Sequence, residues 1–187
     1  MKIVLLFGSF NPIHIGHLLI ATKVKEAIKA DEVWLIVSPH NPHKNKTDLA
    51  NETHRLQMAQ LATENHPFIK VSDIEFQLSQ PSYTYNTLVA LQAKFPNNEF
   101  HLIIGGDNVA KFDTWKNYEA IIEKVPIHVF KRGNEIIENK LNFNILDLGL
   151  LDISATAIRQ RIQQNLVIRY FVTENVEQYI AFHKLYQ

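Results

Sequence analysis

The chain has 187 residues, 46% of them apolar, with 19 Lys+Arg against 19 Asp+Glu and no cysteine. That length fits a single domain spanning residues 1–187 with a core of ordinary size. The balanced charge lacks the basic excess of a nucleic-acid binder, and the absence of cysteine excludes a disulfide framework and a thiolate metal site. A neutral protein can still hold a local basic pocket for an anionic small molecule. The opening run Ile3-Val4-Leu5-Leu6-Phe7 stops at Gly8 and is followed by Asn11-Pro12 instead of a small-residue cleavage site, so it reads as a buried strand and not as a leader. No apolar run approaches a membrane span, and a cytoplasmic location is the expectation.

In chain order, Ile3 to Phe7 predicts a strand and His17 to Lys29 a helix, with Ile20, Val24, Ala27 and Ile28 on one face. Val33 to Val37 is continuous in apolar residues, as a doubly covered parallel strand should be. Ser38 to Asp48 is polar and reads as an exposed loop. Thr53 to Glu64 predicts a helix, Phe68 to Val71 a strand, and Tyr85 to Lys94 a helix ended by Phe95-Pro96. Phe100 to Ile104 is a buried strand closed by Gly105-Gly106. A helix near Asn117 to Lys124, strands at Ile127 to Phe130 and Asn144 to Leu148, and helices over Thr156 to Gln164 and Val176 to His183 complete the pattern. Strands alternating with helices predict an α/β, Rossmann-like, doubly wound parallel sheet with a small helical C-terminal part. Ligands in such sheets bind at the carboxyl ends of the strands.

The chemistry gathers first in Gly8-Ser9-Phe10-Asn11-Pro12-Ile13-His14-Ile15-Gly16-His17, between the first strand and the first helix. Gly8 and Gly16 allow close backbone approach. A helix N-terminus presents unpaired N–H groups and the positive end of a dipole, which suits phosphate. His14 and His17, three residues apart, can both donate to phosphoryl oxygens. A second phosphate site is legible at Ser154 and Thr156, at a predicted helix start with Arg159 one turn on. A plain N-cap followed by a surface arginine would look the same. Asp107, after Gly105-Gly106 at a strand end, suits a ribose hydroxyl or a helix cap, and Asn108 is a weaker ribose candidate. Trp115 offers a stacking face for a flat ring or a rim tryptophan. Lys44, beside His43 in the polar loop, is by itself a solvated lysine.

The first of these stretches resembles the H-x-G-H signature of the nucleotidylyltransferase superfamily, and more closely the nicotinate-nucleotide adenylyltransferase form G-G-[ST]-F-[DN]-P-x-H-x-G-H. Phe7 stands where that form has its first glycine. The resemblance continues in order. Pro39-His40-Asn41-Pro42-His43-Lys44 is similar to the family's P-x-x-P-x-K loop, His54-Arg55-Leu56-Gln57-Met58 to its R-x-x-M helix, and Ser82-Tyr83-Thr84-Tyr85-Asn86-Thr87-Leu88 to its S-Y-T-x-x-T-L element. Ile104-Gly105-Gly106-Asp107, with Trp115 after it, resembles the glycine-rich turn with an acid. Ile153-Ser154-Ala155-Thr156-Ala157-Ile158-Arg159 resembles I-S-S-T-x-I-R, with Ala155 in place of the second serine. Val176, Tyr179-Ile180 and Leu185-Tyr186 resemble the usual C-terminus.

This resemblance implies transfer of the adenylyl group of ATP to nicotinate mononucleotide, giving nicotinate adenine dinucleotide and pyrophosphate. It implies that His14, His17 and Arg159 carry the chemistry. Gly8, Ser9, Phe10, Gly16, Gly105, Asp107, Ser154 and Thr156 would line the ATP site. His43, Lys44, Thr84, Tyr85, Asn108 and Trp115 would hold the mononucleotide. Magnesium is expected on the triphosphate, with no dedicated metal site, because no compact set of carboxylates would cage it. Three other readings stay open: an adenylyltransferase for nicotinamide mononucleotide or phosphopantetheine, a nucleotide-binding protein without turnover, and a metal binder using His14-x-x-His17 and His40-x-x-His43. Composition and motifs leave the oligomeric state open.

Overall fold

A computed structural model describes residues 1–40, 49–131, 137–149 and 152–187. Among these residues six strands, β1 (Lys2–Gly8), β2 (Glu32–Val37), β3 (Ile69–Ser72), β4 (Glu99–Gly105), β5 (Ile127–Lys131) and β6 (Asn144–Asp147), form one sheet in the order β3-β2-β1-β4-β5-β6. Every adjacent pair is parallel. Among the described residues seven α-helices connect and flank them: α1 (Ile15–Ile28), α2 (Glu52–Ala62), α3 (Thr84–Lys94), α4 (Gly106–Val109), α5 (Tyr118–Lys124), α6 (Ala155–Gln163) and α7 (Glu174–Phe182). The α/β Rossmann-like fold anticipated from the alternation is the fold observed.

Parallel strands buried on both faces need apolar residues at successive positions, and β1 supplies them. Val4 and Leu6 enter a core with Ile20 and Val24 of α1, Met58 of α2, Ile158 of α6 and Val176 of α7. Ile3 and Leu5 enter the opposite core with Leu88 and Leu91 of α3, Val109 of α4 and Ile121 of α5. Each such side chain contributes about 1.5–3 kcal/mol by leaving water. The register sets Leu5 opposite Trp34 of β2 and Leu102 of β4.

The chain winds from β1 outward through β2 and β3, then returns to place β4 on the other side of β1. That reversal opens a crevice at the carboxyl ends of β1 and β4, where a doubly wound sheet takes its ligand. Among the described residues the structure adds three short pieces that periodicity did not disclose: α4 and two 3₁₀ turns at Ile74–Gln77 and Phe112–Thr114. Helix α1 starts at Ile15, earlier than predicted, because His14 rather than a polar residue further on takes the N-cap.

A second polar feature lies near the starts of β4 and β5. His101 and His128, each 7% exposed, stand on adjacent strands with Nδ1 of His101 and Nε2 of His128 2.9 Å apart. Nε2 of His101 lies 2.7 Å from Glu99 Oε1, and the Asn144 side-chain amide lies 3.0 Å from His128 Nδ1. One assignment satisfies the chain with both rings neutral: Asn144 donates to His128, His128 to His101, and His101 to Glu99. Burial pushes the His128 pKa down to about 4, with charge from His101 and Lys2 adding to the shift.

Candidate active site

The loop from Gly8 to His14 is built around the ring of Phe10. This residue is 2% exposed and adopts φ 46°, the left-handed region that non-glycine residues enter at a cost of about 1 kcal/mol. The Asn11-Pro12 peptide after it is cis. A Cβ on Gly8 would stand 2.9 Å from Phe10 Cζ, so Gly8 is required where the ring crosses the end of β1. Phe10 then meets the His17 ring edge-on, with centroids 5.0 Å apart. A Cβ on Gly16 would approach His14 Nδ1 to 3.0 Å, so this glycine makes room for the other histidine. The two glycines thus serve the placement of side chains more directly than the backbone approach suggested by the sequence.

His14 and His17 stack, with ring centroids 3.7 Å apart and planes 27° from parallel. The His14 backbone N–H donates to His17 Nδ1 at 3.2 Å. With Nδ1 accepting, the neutral His17 ring carries its proton on Nε2.

Arg55 holds this loop from behind. It is 1% exposed, and its guanidinium donates to the carbonyls of Ser9 and Ser38 at 2.7 Å, Pro39 at 2.7 Å and Ala50 at 2.9 Å. Burial lowers its pKa, yet a guanidinium starts high enough to stay charged. Asn11 Oδ1 accepts from the Ala50 N–H and the Tyr186 hydroxyl, each at 3.0 Å. Burial pushes the Tyr186 phenol well above its ordinary range, against the pull of Arg55 and Arg159, so it stays a donor.

Helix α6 begins at Ala155, one residue before the predicted start. Ser154 is its N-cap and accepts from the Ala157 N–H at 3.2 Å. Arg159 reaches back to donate to the Asn11 carbonyl at 2.8 Å and lies 3.3 Å from the Thr156 hydroxyl. This guanidinium therefore ties α6 to the histidine loop across 148 residues of sequence.

A cavity of about 990 Å³ joins these elements to α3, α4 and the segment after the Phe112–Thr114 turn. His14, His17, Ser154, Thr156 and Arg159 line it on one side; Thr84, Asp107, Asn108 and Trp115 line it on another. Gly8, Ser9, Phe10 and Gly105 line it as well. Among the described residues, three helices of nine or more residues begin at this cavity, α1, α3 and α6, and none has an acidic residue in its first turn. The first-turn N–H groups of α3, on Thr84, Tyr85 and Asn86, have no carbonyl one turn earlier to meet. Together the helix ends make a field for anions.

Some expectations met the structure differently. The Tyr85 side chain does not line the cavity; it packs with the α3-side core, with Lys124 5.8 Å from its ring centre. Gly16 acts behind the lining, through His14. His43 and Lys44 lie outside the described residues. Sequence reasoning missed Glu75, which is 2% exposed, lines the cavity from the first 3₁₀ turn and accepts from the Thr87 hydroxyl at 2.7 Å. Burial pushes its carboxyl pKa up, against the pull of the nearby Thr87, Ser38 and Ser82 hydroxyls. Its Oε2, with Ser9 Oγ and Ser82 Oγ, is buried without a hydrogen-bond partner among the described residues, and all three residues line the cavity. Arg55 entered the sequence reading only as part of the R-x-x-M element, with no role attached; the structure puts it on the buried face of α2 with Met58 and Ala59. Lys116, also missed, lines the cavity beside Trp115.

A strand-to-helix loop with stacked histidines at the switch point of a parallel sheet defines a class, and the comparisons agree. A family model described as cytidylyltransferase-like matches residues 5–161, and the chain belongs to that family. Within it, the chain belongs with the nicotinate-nucleotide adenylyltransferases. It is 45% identical to a "probable nicotinate-nucleotide adenylyltransferase" of Flavobacterium psychrophilum and 43% identical to that of Flavobacterium johnsoniae, over 100% of each chain in both cases. A relative from Oceanobacillus iheyensis is 35% identical over 99% of this chain and 96% of its own. The fold is that of the Plasmodium falciparum nicotinic acid mononucleotide adenylyltransferase complexed with NaAD, at a TM-score of 0.80 and 20% identity, covering 99% of this chain and 97% of that one. No helix among the described residues is long and apolar enough to cross a membrane.

Proposed function

We propose that this chain, acting as one folded unit, joins ATP to nicotinate mononucleotide to give nicotinate adenine dinucleotide and pyrophosphate. One observation carries the reading. The stacked His14–His17 pair and Arg159 share a cavity with Thr84 and Trp115, so a phosphate-binding wall and a wall suited to a flat ring face the same space.

A phosphate oxygen of the mononucleotide attacks the α-phosphorus of ATP, a new P–O bond forms, and the bond from the α-phosphorus to the bridging oxygen breaks. Pyrophosphate leaves with that electron pair. The nucleophile is already anionic near neutral pH, so the protein's task is alignment and charge stabilisation. His14 and His17 donate to the phosphoryl oxygens on which charge grows. Ser154, Thr156 and Arg159 hold the β- and γ-phosphates at the start of α6, with Gly8, Ser9, Phe10, Gly16 and Gly105 shaping the ATP side and Asp107 at a ribose. Trp115 stacks on the pyridine ring, the N–H groups of Thr84 and Tyr85 meet its carboxylate, Asn108 contacts the sugar, and His43 and Lys44 assist at phosphate.

Among the described residues no group of three or more His, Cys, Asp or Glu is placed to hold a metal ion. Magnesium carried on the triphosphate would keep most of its waters and supply charge neutralisation there. The deciding experiment incubates the protein with ATP and, separately, nicotinate mononucleotide, nicotinamide mononucleotide and phosphopantetheine, following pyrophosphate release. Fastest turnover with nicotinate mononucleotide is the expected result. Turnover only with phosphopantetheine, or none with any acceptor, would replace this reading with one of its alternatives.

A further inference from the structure

Among the described residues, the cavity is lined by two basic side chains, Arg159 and Lys116. Arg159 is bound to the histidine loop through the Asn11 carbonyl and so belongs to the phosphate wall. Lys116 belongs elsewhere. It follows Trp115 directly, and its ammonium sits 4.5 Å from the centre of the Tyr83 ring. Tyr83 is the N-cap of α3, next to Thr84, and both line the cavity. The cation–π contact therefore holds a positive charge on the wall that carries Thr84 and Trp115.

A second cation in this position calls for a second anionic group on the ligand, separate from its phosphates. Two acids also line the cavity. Asp107 lies on α4, and Glu75 lies under the Ser82–Thr84 segment with its carboxyl pushed by burial toward the neutral form. Backbone N–H donors alone discriminate weakly at long range, because an amide carbonyl satisfies one of them as well as a carboxylate oxygen does. A fixed charge reads the net charge of the ring substituent, and the low-dielectric walls of a cleft strengthen that reading.

We infer that Lys116, held over Tyr83, is a specificity-determining residue that favours a mononucleotide bearing a ring carboxylate over its neutral amide. The inference rests on the proposed function and names the charge that would enforce its substrate choice.

The test measures kcat/KM for nicotinate and nicotinamide mononucleotide with the wild-type protein, Lys116→Met and Lys116→Arg. Lys116 is exposed, so its substitution should leave the urea midpoint in place. Because an exposed charge is screened, the acid-to-amide ratio should fall about threefold to tenfold in Lys116→Met and recover in Lys116→Arg. Raising the ionic strength from about 0.02 M to about 0.3 M should lower the ratio in the wild type and leave it flat in Lys116→Met. An unchanged ratio in Lys116→Met, or an equal loss for both mononucleotides, would overturn the assignment while the wild-type preference for the acid kept the proposed function standing. A wild-type protein that uses neither mononucleotide, or prefers the amide, would remove both.

Discussion

The Arg55 guanidinium donates to the Ser9 carbonyl at 2.7 Å from a site that is 1% exposed. A full charge has thus been buried directly beneath the loop that carries the two histidines. It is stabilised by backbone carbonyls, since neither salt bridge found among the described residues involves it. The carbonyls of Ser9, Ser38, Pro39 and Ala50 all converge on this one side chain, which fixes the end of β2 against the loop after β1. The loop geometry at the candidate site is therefore set partly from inside the core.

Arg55→Met keeps much of the side-chain volume and removes every donor. Each buried carbonyl left unpaired costs about 1–3 kcal/mol, so a total loss of about 3 kcal/mol or more in unfolding free energy is expected. Urea titration of the two proteins measures it, and a loss below about 1 kcal/mol would show that water or local relaxation replaces the guanidinium.

His17→Ala removes a ring that lines the cavity and whose Nδ1 accepts from the His14 N–H. Loss of one hydrogen-bond donor from a phosphoryl-transfer site is expected to lower kcat by about a hundredfold or more. Far-ultraviolet circular dichroism checks that the variant is folded, and near-wild-type kcat in a folded variant would take His17 out of the transition-state role.

Gly16→Ala separates stability from activity. Alanine is the better helix former by about 1 kcal/mol, so α1 should not weaken. The new methyl would lie 3.0 Å from His14 Nδ1 and 3.1 Å from Cε1, forcing that ring to shift by a few tenths of an ångström. The expected outcome is an unchanged or higher thermal midpoint together with a clear loss of kcat. Full activity would show that the His14 ring has room to move without consequence.

The His101–His128 pair predicts a pH dependence of stability away from the candidate site. His128 has a folded-state pKa of about 4, below its ordinary 6.5, because burial disfavours the imidazolium. The folded state therefore binds fewer protons than the unfolded state between those values, and stability falls as pH falls through that window. At 1.36 kcal/mol per pKa unit the contribution is at most about 3 kcal/mol. Urea unfolding at about pH 7.5, 6 and 5 should show this decline in the wild type and a shallower one in His128→Phe. Parallel curves for the two proteins would place the effect on other groups.

Local physics determined the order of elements and the principal motif. Doubly buried strands are continuous apolar runs, helices show their stripe and caps, and alternation of the two leaves a parallel sheet as the economical packing. For that reason β1, β2 and β4 were readable to within a residue or two at each end. The histidine loop was readable because it sits between a strand and a helix only a few residues apart. Tertiary structure decided what depends on distant chain segments meeting. Arg55 is only the first residue of an R-x-x-M element until the Ser9 carbonyl, 46 residues earlier, arrives beside it. Glu75 looks like a surface acid until Thr87 and the cavity wall enclose it. Phe10 reads as a ligand contact in the sequence, whereas the fold also makes it a buried prop between Gly8 and His17. The direction of Lys116 is set by the Tyr83 ring, brought near by the crossover from α3 through β4. Periodicity reports only which face of an element is apolar; which charge ends beneath which loop is settled when the strands take their order in the sheet.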